Sequence, residues 1–307
     1  MKKTPNTYHH IVPKCYLKNF AVKGKSDFVY IYDKVQNKVY TKPIDKIAGI
    51  DNFYTISQDF NDGIFDDKII EKEYLDKDIE RKYSVVLRQI IDTINNRKQL
   101  SDSLRTDLAV HVAIQFLRTK EIRDKDEQSS KDFLPKCINL FKEGLSRELK
   151  NPNITKLDVS YKYDSAINHF SSSFGNEDII NKFARELTLN YWNFYYSSFP
   201  VYYTSRFPIV VNPHVQDVRP MCLGLIQYGA ELSFPISPNI MLVIWDREYF
   251  KEKASTNGKI IVATDKDVRK YNWMRYFYAE HVFSHTNDFS ALDFIYWLKD
   301  KHDFFKY

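Results

Sequence analysis

Two adjacent imidazoles, His9 and His10, stand in the segment His9-His10-Ile11-Val12-Pro13 and are the first residues able to do chemistry. A neutral imidazole accepts a proton near neutral pH and ligates metals, so either ring is a candidate general base. Consecutive side chains of an extended segment point to opposite faces, so one ring at most enters a given site while the other caps or packs. A second set lies at His111, Gln115 and Arg118, whose i, i+4, i+7 spacing puts an imidazole, an amide and a guanidinium on one helix stripe. The planar fork of Arg118 matches a carboxylate or phosphate, and the same row also suits a solvated face or an internal pair. Glu73 and Glu80, seven residues apart on the preceding helix, are the carboxylates that serve as that pair or as catalytic acids. The polar turn Tyr203-Thr204-Ser205-Arg206-Phe207-Pro208 is a third candidate, because loops at strand ends often carry ligand groups. His9, His10, Glu73, Glu80, Gln115 and Arg118 are therefore the catalytic candidates, and Lys14, His111, Ser205 and Arg206 the substrate-binding ones.

Several chemistries lack their signatures. Ser205 has no GxSxG elbow around it, and the eight glycines form neither a GxGxxG nor a Walker loop. Cys15, Cys137 and Cys222 are odd in number and form no CxxC pair, which indicates a reducing compartment rather than a disulfide scaffold or zinc site. His-His-Ile-Val-Pro resembles the opening of HNH-type nuclease motifs, in which a histidine activates water beside a divalent metal. The next histidine is His111 and no cysteine pair supports a metal finger, so a divalent cofactor has no clear ligand motif here.

The elements that must position these groups read as α+β. Phe28–Tyr32 and Lys38–Thr41 form a hairpin, Phe53–Ile56 a short third strand, and Pro13–Phe20 a short helix. Apolar residues at helical spacing predict a helix over Asp66–Ile94, a second from Asp102 to about Asp124 capped by Ser101, and a third over Lys131–Leu149. Another follows near Glu177–Thr188, after which aromatic and β-branched runs return over Tyr191–Val211, Leu232–Phe234 and Ile240–Trp245, with a last helix from about Asp267 to His281. The expected architecture is a single domain over 1–307, its helical subregion at about 64–190 packed on one mixed or antiparallel sheet built from N-terminal and C-terminal strands. Charge is segregated: residues 1–50 hold ten lysines against three aspartates, and residues 51–80 hold ten acids against three lysines. The two segments either pair with each other or leave a basic surface for nucleic acid or nucleotide. Met1–Pro13 lacks an apolar secretory core and no 18-residue apolar run occurs, so a cytoplasmic protein that does not span a membrane is expected.

These residues resemble the bacterial family called domain of unknown function 4238. Its opening, His-His-x-Val-Pro-x-x-Tyr-Leu-x-x-Phe, is similar to His9, His10, Val12, Pro13, Tyr16, Leu17 and Phe20. The resemblance continues through Asn52–Tyr54, Glu73 and Glu80, Gln115-x-x-Arg118-Thr119, Trp192, Phe234–Pro238, Asn272 and Ala279, and spans roughly residues 9 to 285. Arg206 stands where the family pattern has Asp in a Ser-Asp-x-Pro turn, which removes a carboxylate from that turn. The family name implies an architecture but no activity. The residues themselves favour a phosphodiester hydrolase, a nuclease-like toxin or phage-defence effector with a histidine as base and Arg118 stabilising developing charge. The alternative is a non-enzymatic nucleotide- or protein-binding module, and oligomeric state is not legible.

Overall fold

The computed structural model describes residues 7–215 and 225–292; Cys222 lies outside them. Strand β1 (Tyr8–His10) pairs antiparallel with β4 (Gly49–Asp51), setting His9 opposite Ile50 and His10 opposite Gly49. Between them run helix α1 (Lys14–Leu17), which continues into a 3₁₀ turn to Phe20, and the hairpin β2 (Phe28–Asp33) and β3 (Lys38–Pro43). Phe53–Ile56 is not a strand. Asn52 turns the chain in the left-handed region, φ +55, which asparagine tolerates better than most residues, and pairing ends at Asp51. A short helix α2 (Gln58–Asn61) follows.

The helix expected over Asp66–Ile94 has two parts of different pitch, a π-helix over Ile70–Glu80 and α3 (Arg81–Asn95). Helix α4 (Asp102–Leu117) starts on Ser101, whose side chain accepts from the Leu104 N–H. It stops earlier than its apolar pattern suggests, because Thr119 adopts an extended conformation and begins α5 (Lys120–Glu148), a helix that absorbs the separate one expected over Lys131–Leu149. Helix α6 (Ser165–His169) and α7 (Glu177–Leu189) complete the middle.

The second half supplies β5 (Tyr191–Tyr196), β6 (Thr204–Ser205), β7 (Val210–Pro213), β8 (Ala230–Ser237), β9 (Ile240–Trp245) and β10 (Lys259–Val262). Helix α8 (Asp265–Tyr278), with a Thr264–Asp267 capping box, and β11 (His281–Ser284) follow. The class is α+β, with N-terminal and C-terminal strands sharing one sheet and a helical middle. The strands divide among three sheets: the β1–β4 pair, a four-stranded sheet β3-β2-β11-β6 that joins both chain ends, and a five-stranded sheet β10-β5-β9-β8-β7.

Every residue of β8 and β9 is buried, which requires cover on both sheet faces. Leu232, Phe234, Leu242 and Ile244 join a core cluster with α3 and α4, while Met241, Val243 and Trp245 pack with Tyr271 and Met274 of α8. Tyr16 ties the N-terminal segment to both larger sheets, its hydroxyl lying 2.7 Å from Thr204 Oγ1 and donating to the Pro235 carbonyl at 2.8 Å. The His-His motif is thus fixed to the core from both sides.

Candidate functional site

A hollow of about 620 Å³ opens between β1, the π-helix and the end of α4. His10, Lys14, Glu71, Asp76, Glu80 and Arg118 line it, with Asn52, Thr55, Asp67, Lys68 and Lys72 around them. The basic N-terminal segment and the acidic segment after it therefore face one another across one cavity.

The π-helix decides which carboxylates arrive there. Its i→i+5 bonding gives roughly 4.4 residues per turn, so residues about four, five and nine apart share a face. Glu71, Leu75, Asp76 and Glu80 consequently line the wall. Glu73 falls on the outer surface, where it pairs with Lys77 at 2.7 Å, and it is not part of the site. The seven-residue spacing that joined Glu73 to Glu80 holds only for an α-helix.

The two histidines differ in role as alternation requires. His9 is fully buried: its Nδ1 accepts the Tyr54 backbone N–H at 2.9 Å, its ring stacks on Tyr54, and its Nε2 lies 2.9 Å from Glu71 Oε2, off the line of the ring N–H. With Nδ1 occupied as an acceptor, the proton of the ring in its neutral form sits on Nε2, close to Glu71 but without a hydrogen bond to it. His9 is thus a positioning group behind the wall. His10 lines the hollow itself, donates Nε2–H to the Ile44 carbonyl at 3.2 Å and retains Nδ1 as a lone pair. Burial pushes its pKa down to about 4, outweighing the Ile44 contact that opposes the shift, so the ring is neutral at pH 7 and a weak base.

Arg118 is the hub of the cavity floor, 1% exposed. It donates Nε–H to the Tyr54 hydroxyl at 3.2 Å, Nη2 to the His10 carbonyl at 2.5 Å, and Nη1 and Nη2 to Glu80 Oε1 at 3.3 and 3.4 Å. Burial works against its charge, but the Tyr54 and Glu80 oxygens more than offset that, so it stays protonated. Four of its five N–H groups are committed, so the role expected for Arg118 in stabilising charge on a substrate is largely pre-empted by protein acceptors. Burial raises the Glu80 carboxyl above the ordinary range although Arg118 opposes it, and Asp76 is raised by burial and by the Glu71 charge. Both acids on this wall are thus shifted upward, Glu80 mainly by burial and Asp76 by burial and the Glu71 charge.

Gln115 and His111 stand outside the cavity. Gln115 donates to the Ile11 carbonyl at 3.2 Å and braces the His-His segment from behind, while His111 stacks on Tyr83 with ring centroids 4.5 Å apart. Ser205 is fully buried in β6 and closes a local turn with Phe207, so neither nucleophile nor ligand contact is open to it. Arg206 pairs with Glu121 at 3.4 Å, stacks on Phe207 and lines a separate hollow of about 210 Å³. Lys14, paired with Asp45 at 3.0 Å, does line the main cavity. Among the described residues no three His, Cys, Asp or Glu side chains converge well enough to hold a metal ion, and no helix is long and apolar enough to cross a membrane.

The model of the family described as protein of unknown function, DUF4238, matches residues 8–288. The chain belongs to that family. No curated protein and no solved structure matches it. The DUF4238 match runs from β1 through the hollow to β11, so the cavity belongs to the family region and not to an appended segment.

Sequence reasoning missed Glu71, Asp76 and Tyr54 as site residues. A signal was present: Ile69, Tyr74 and Ile79 recur every five residues, a spacing an α-helix does not produce but a π-helix does.

Proposed function

We propose that the hollow is the active site of a phosphodiester hydrolase, a nuclease-like enzyme acting in the cytoplasm as a toxin or phage-defence effector. The observation that carries this reading is the π-helical register, which stacks Glu71 and Asp76 on the cavity wall beside His10. π-Helical segments concentrate at functional sites because they re-aim side chains at the cost of backbone bonding. In the proposed reaction Glu71, steadied by His9, or the His10 lone pair takes a proton from the attacking water. The water oxygen forms the new P–O bond, the bond to the leaving oxygen breaks, and the proton taken from the water passes by way of Asp76, whose carboxyl is shifted upward, to that oxygen. Lys14, Lys68 and Lys72 on the cavity lining supply positive charge for the nucleic acid or nucleotide.

The test is incubation of purified protein with RNA and DNA in Mg²⁺, Mn²⁺ and metal-free buffers, alongside growth of cells expressing it. Cleavage that drops about 100-fold in Glu71→Gln or Asp76→Asn is the expected result, the size typical of one acid–base group. Intact substrates in all three buffers, together with unslowed growth, overturn the proposal. A second reading, a nucleotide- or protein-binding module without turnover, is favoured by the committed fork of Arg118 and by the Lys14–Asp45 and Lys72–Asp66 pairs. A nucleotide that raises the melting temperature and is recovered unchanged supports that module instead.

A further inference from the structure

Helix α5 is 29 residues long and none of its residues is buried. Its first third is anchored to the body: Asp126 meets His169 at 3.0 Å, Glu127 accepts from Ser165 and Ser130 contacts Asn168. Beyond that anchor the helix carries an apolar stripe into solvent. Phe133, Leu140 and Phe141 are 65%, 68% and 67% exposed, and Cys137 and Gly144 lie on the same stripe at four- and three-residue steps. That 4-3-4 spacing, Phe133-Cys137-Leu140-Gly144, is the seam of a two-helix coiled coil rather than the wider face of a helix packed on a core. Three large apolar side chains held in water on one helix mark an interaction surface.

We infer that this stripe is a homodimer interface, in which α5 of a second copy of the chain packs antiparallel on it. Three features select that occupant and orientation. Antiparallel pairing about the Cys137–Leu140 level lays each Phe133 ring over Gly144 of the second copy, where open space surrounds the α-carbon and no side chain obstructs close approach. Lys136 and Glu143, which flank the seam on one side seven residues apart, then stand opposite one another twice by symmetry, so charge closes that edge of the contact, where Glu143 otherwise meets the exposed Arg147 at 3.6 Å, while Leu134 and Phe141 flank the other edge. Parallel pairing in register loses both matches, setting glycine against glycine and like charges at the same level. Pro135, inside the helix, takes the heptad position farthest from the seam, so its missing N–H opens on the outer side.

Light scattering on the full chain at high micromolar concentration tests this, with an expected mass twice the 36.5 kDa of one copy. Phe133→Glu and Leu140→Glu are expected to abolish the dimer while circular dichroism stays unchanged and the melting temperature matches that of the wild type diluted to monomer, since both side chains stand in water in the single copy. Leu140→Cys, oxidised with copper phenanthroline, is expected to form a covalent dimer through the native Cys137, lost again when Cys137→Ser is added. A monomeric wild-type chain overturns the inference, and so does a dimer that survives Phe133→Glu. Either outcome leaves the proposed chemistry of the hollow untouched.

Discussion

Carboxylates meet cations both on β8 and at the hollow, and the two settings have opposite electrostatic results. On β8, Glu231 is fully buried and surrounded by donors: Lys270 Nζ at 2.5 Å, His214 Nε2 at 2.7 Å, the Tyr271 hydroxyl at 3.0 Å and Asn212 Nδ2 at 3.1 Å. Burial alone would raise its pKa, but Lys270 and His214 hold it down to about 2. At the hollow, Glu80 is largely covered with Arg118 as its one cation, Asp76 is solvent-exposed beside the Glu71 charge, and both are raised instead. A carboxylate whose lone pairs are all satisfied has its charge fixed by its donors, while one with fewer donors has its carboxyl shifted upward. The difference is in the surrounding donors, not in residue type, and the proposed chemistry of the hollow rests on it.

The comparison is broken most forcefully at Arg118. Arg118→Ala leaves Glu80 without its cation and strips the His10 carbonyl and the Tyr54 hydroxyl of a donor, so a loss of about 3–5 kcal/mol in urea unfolding is expected. Arg118→Lys keeps the charge but not the fork and should recover only part of it. Glu231→Gln is expected to cost about 3 kcal/mol, because Lys270 loses its counter-charge and His214 its strongest acceptor. Catalytic rate should be unaffected in the fraction that folds, and a Glu231→Gln chain of normal stability with no activity would reverse the roles assigned to the two centres.

Acid should separate the regions in sequence. Burial pushes His10 and His111 down to about 4, so between pH 6.5 and 4 the unfolded chain binds their protons and the folded chain does not. Stability is therefore full above that window and falls on acidification by roughly 1.4 kcal/mol per pH unit for each proton. Glu231, depressed to about 2, adds a further loss that begins near the ordinary carboxylate range and is complete only as pH falls to that value. Urea midpoints followed down the pH scale check this: His10→Gln and His111→Gln should flatten the first decline and leave the second.

The elements were more legible in the sequence than the site. The β2–β3 hairpin, α3 and α7 announce themselves because a local period of two or 3.6 reports which face is buried. The meeting of His10 and Arg118 at one cavity follows from the motif only in hindsight, since 108 residues separate the groups that bond. Glu73 was misplaced because an α-helical period was applied where the backbone is π-helical, a one-residue difference per turn that moves the acidic face from Glu73 to Glu71 and Asp76. Glu231 had no local signal at all: Lys270 and His214 reach it from α8 and from beyond β7, and only the folded sheet sets them together. Asn272, part of the family resemblance, clamps the Tyr203 N–H and the Val201 carbonyl and so serves the fold.

The smallest stability effect belongs to the residue with the largest proposed chemical role. Glu71 stands beside Asp76, whose pKa its charge raises, so the two carboxylates repel one another in the folded state. Glu71→Gln removes that repulsion and keeps the side-chain volume and an oxygen near His9 Nε2. The expected change is within about 0.5 kcal/mol of wild type, and stabilising in sign. Removing the neighbouring charge should also return Asp76 toward the ordinary carboxylate range, a shift readable by NMR titration of its carboxyl carbon. A marked destabilisation would mean that the His9–Glu71 contact holds β1 to the π-helix, as Glu231 holds its sheet. The hollow would then be built on the same satisfied pairing as the C-terminal centre, and its claim to chemistry would pass to His10 and Asp76 alone.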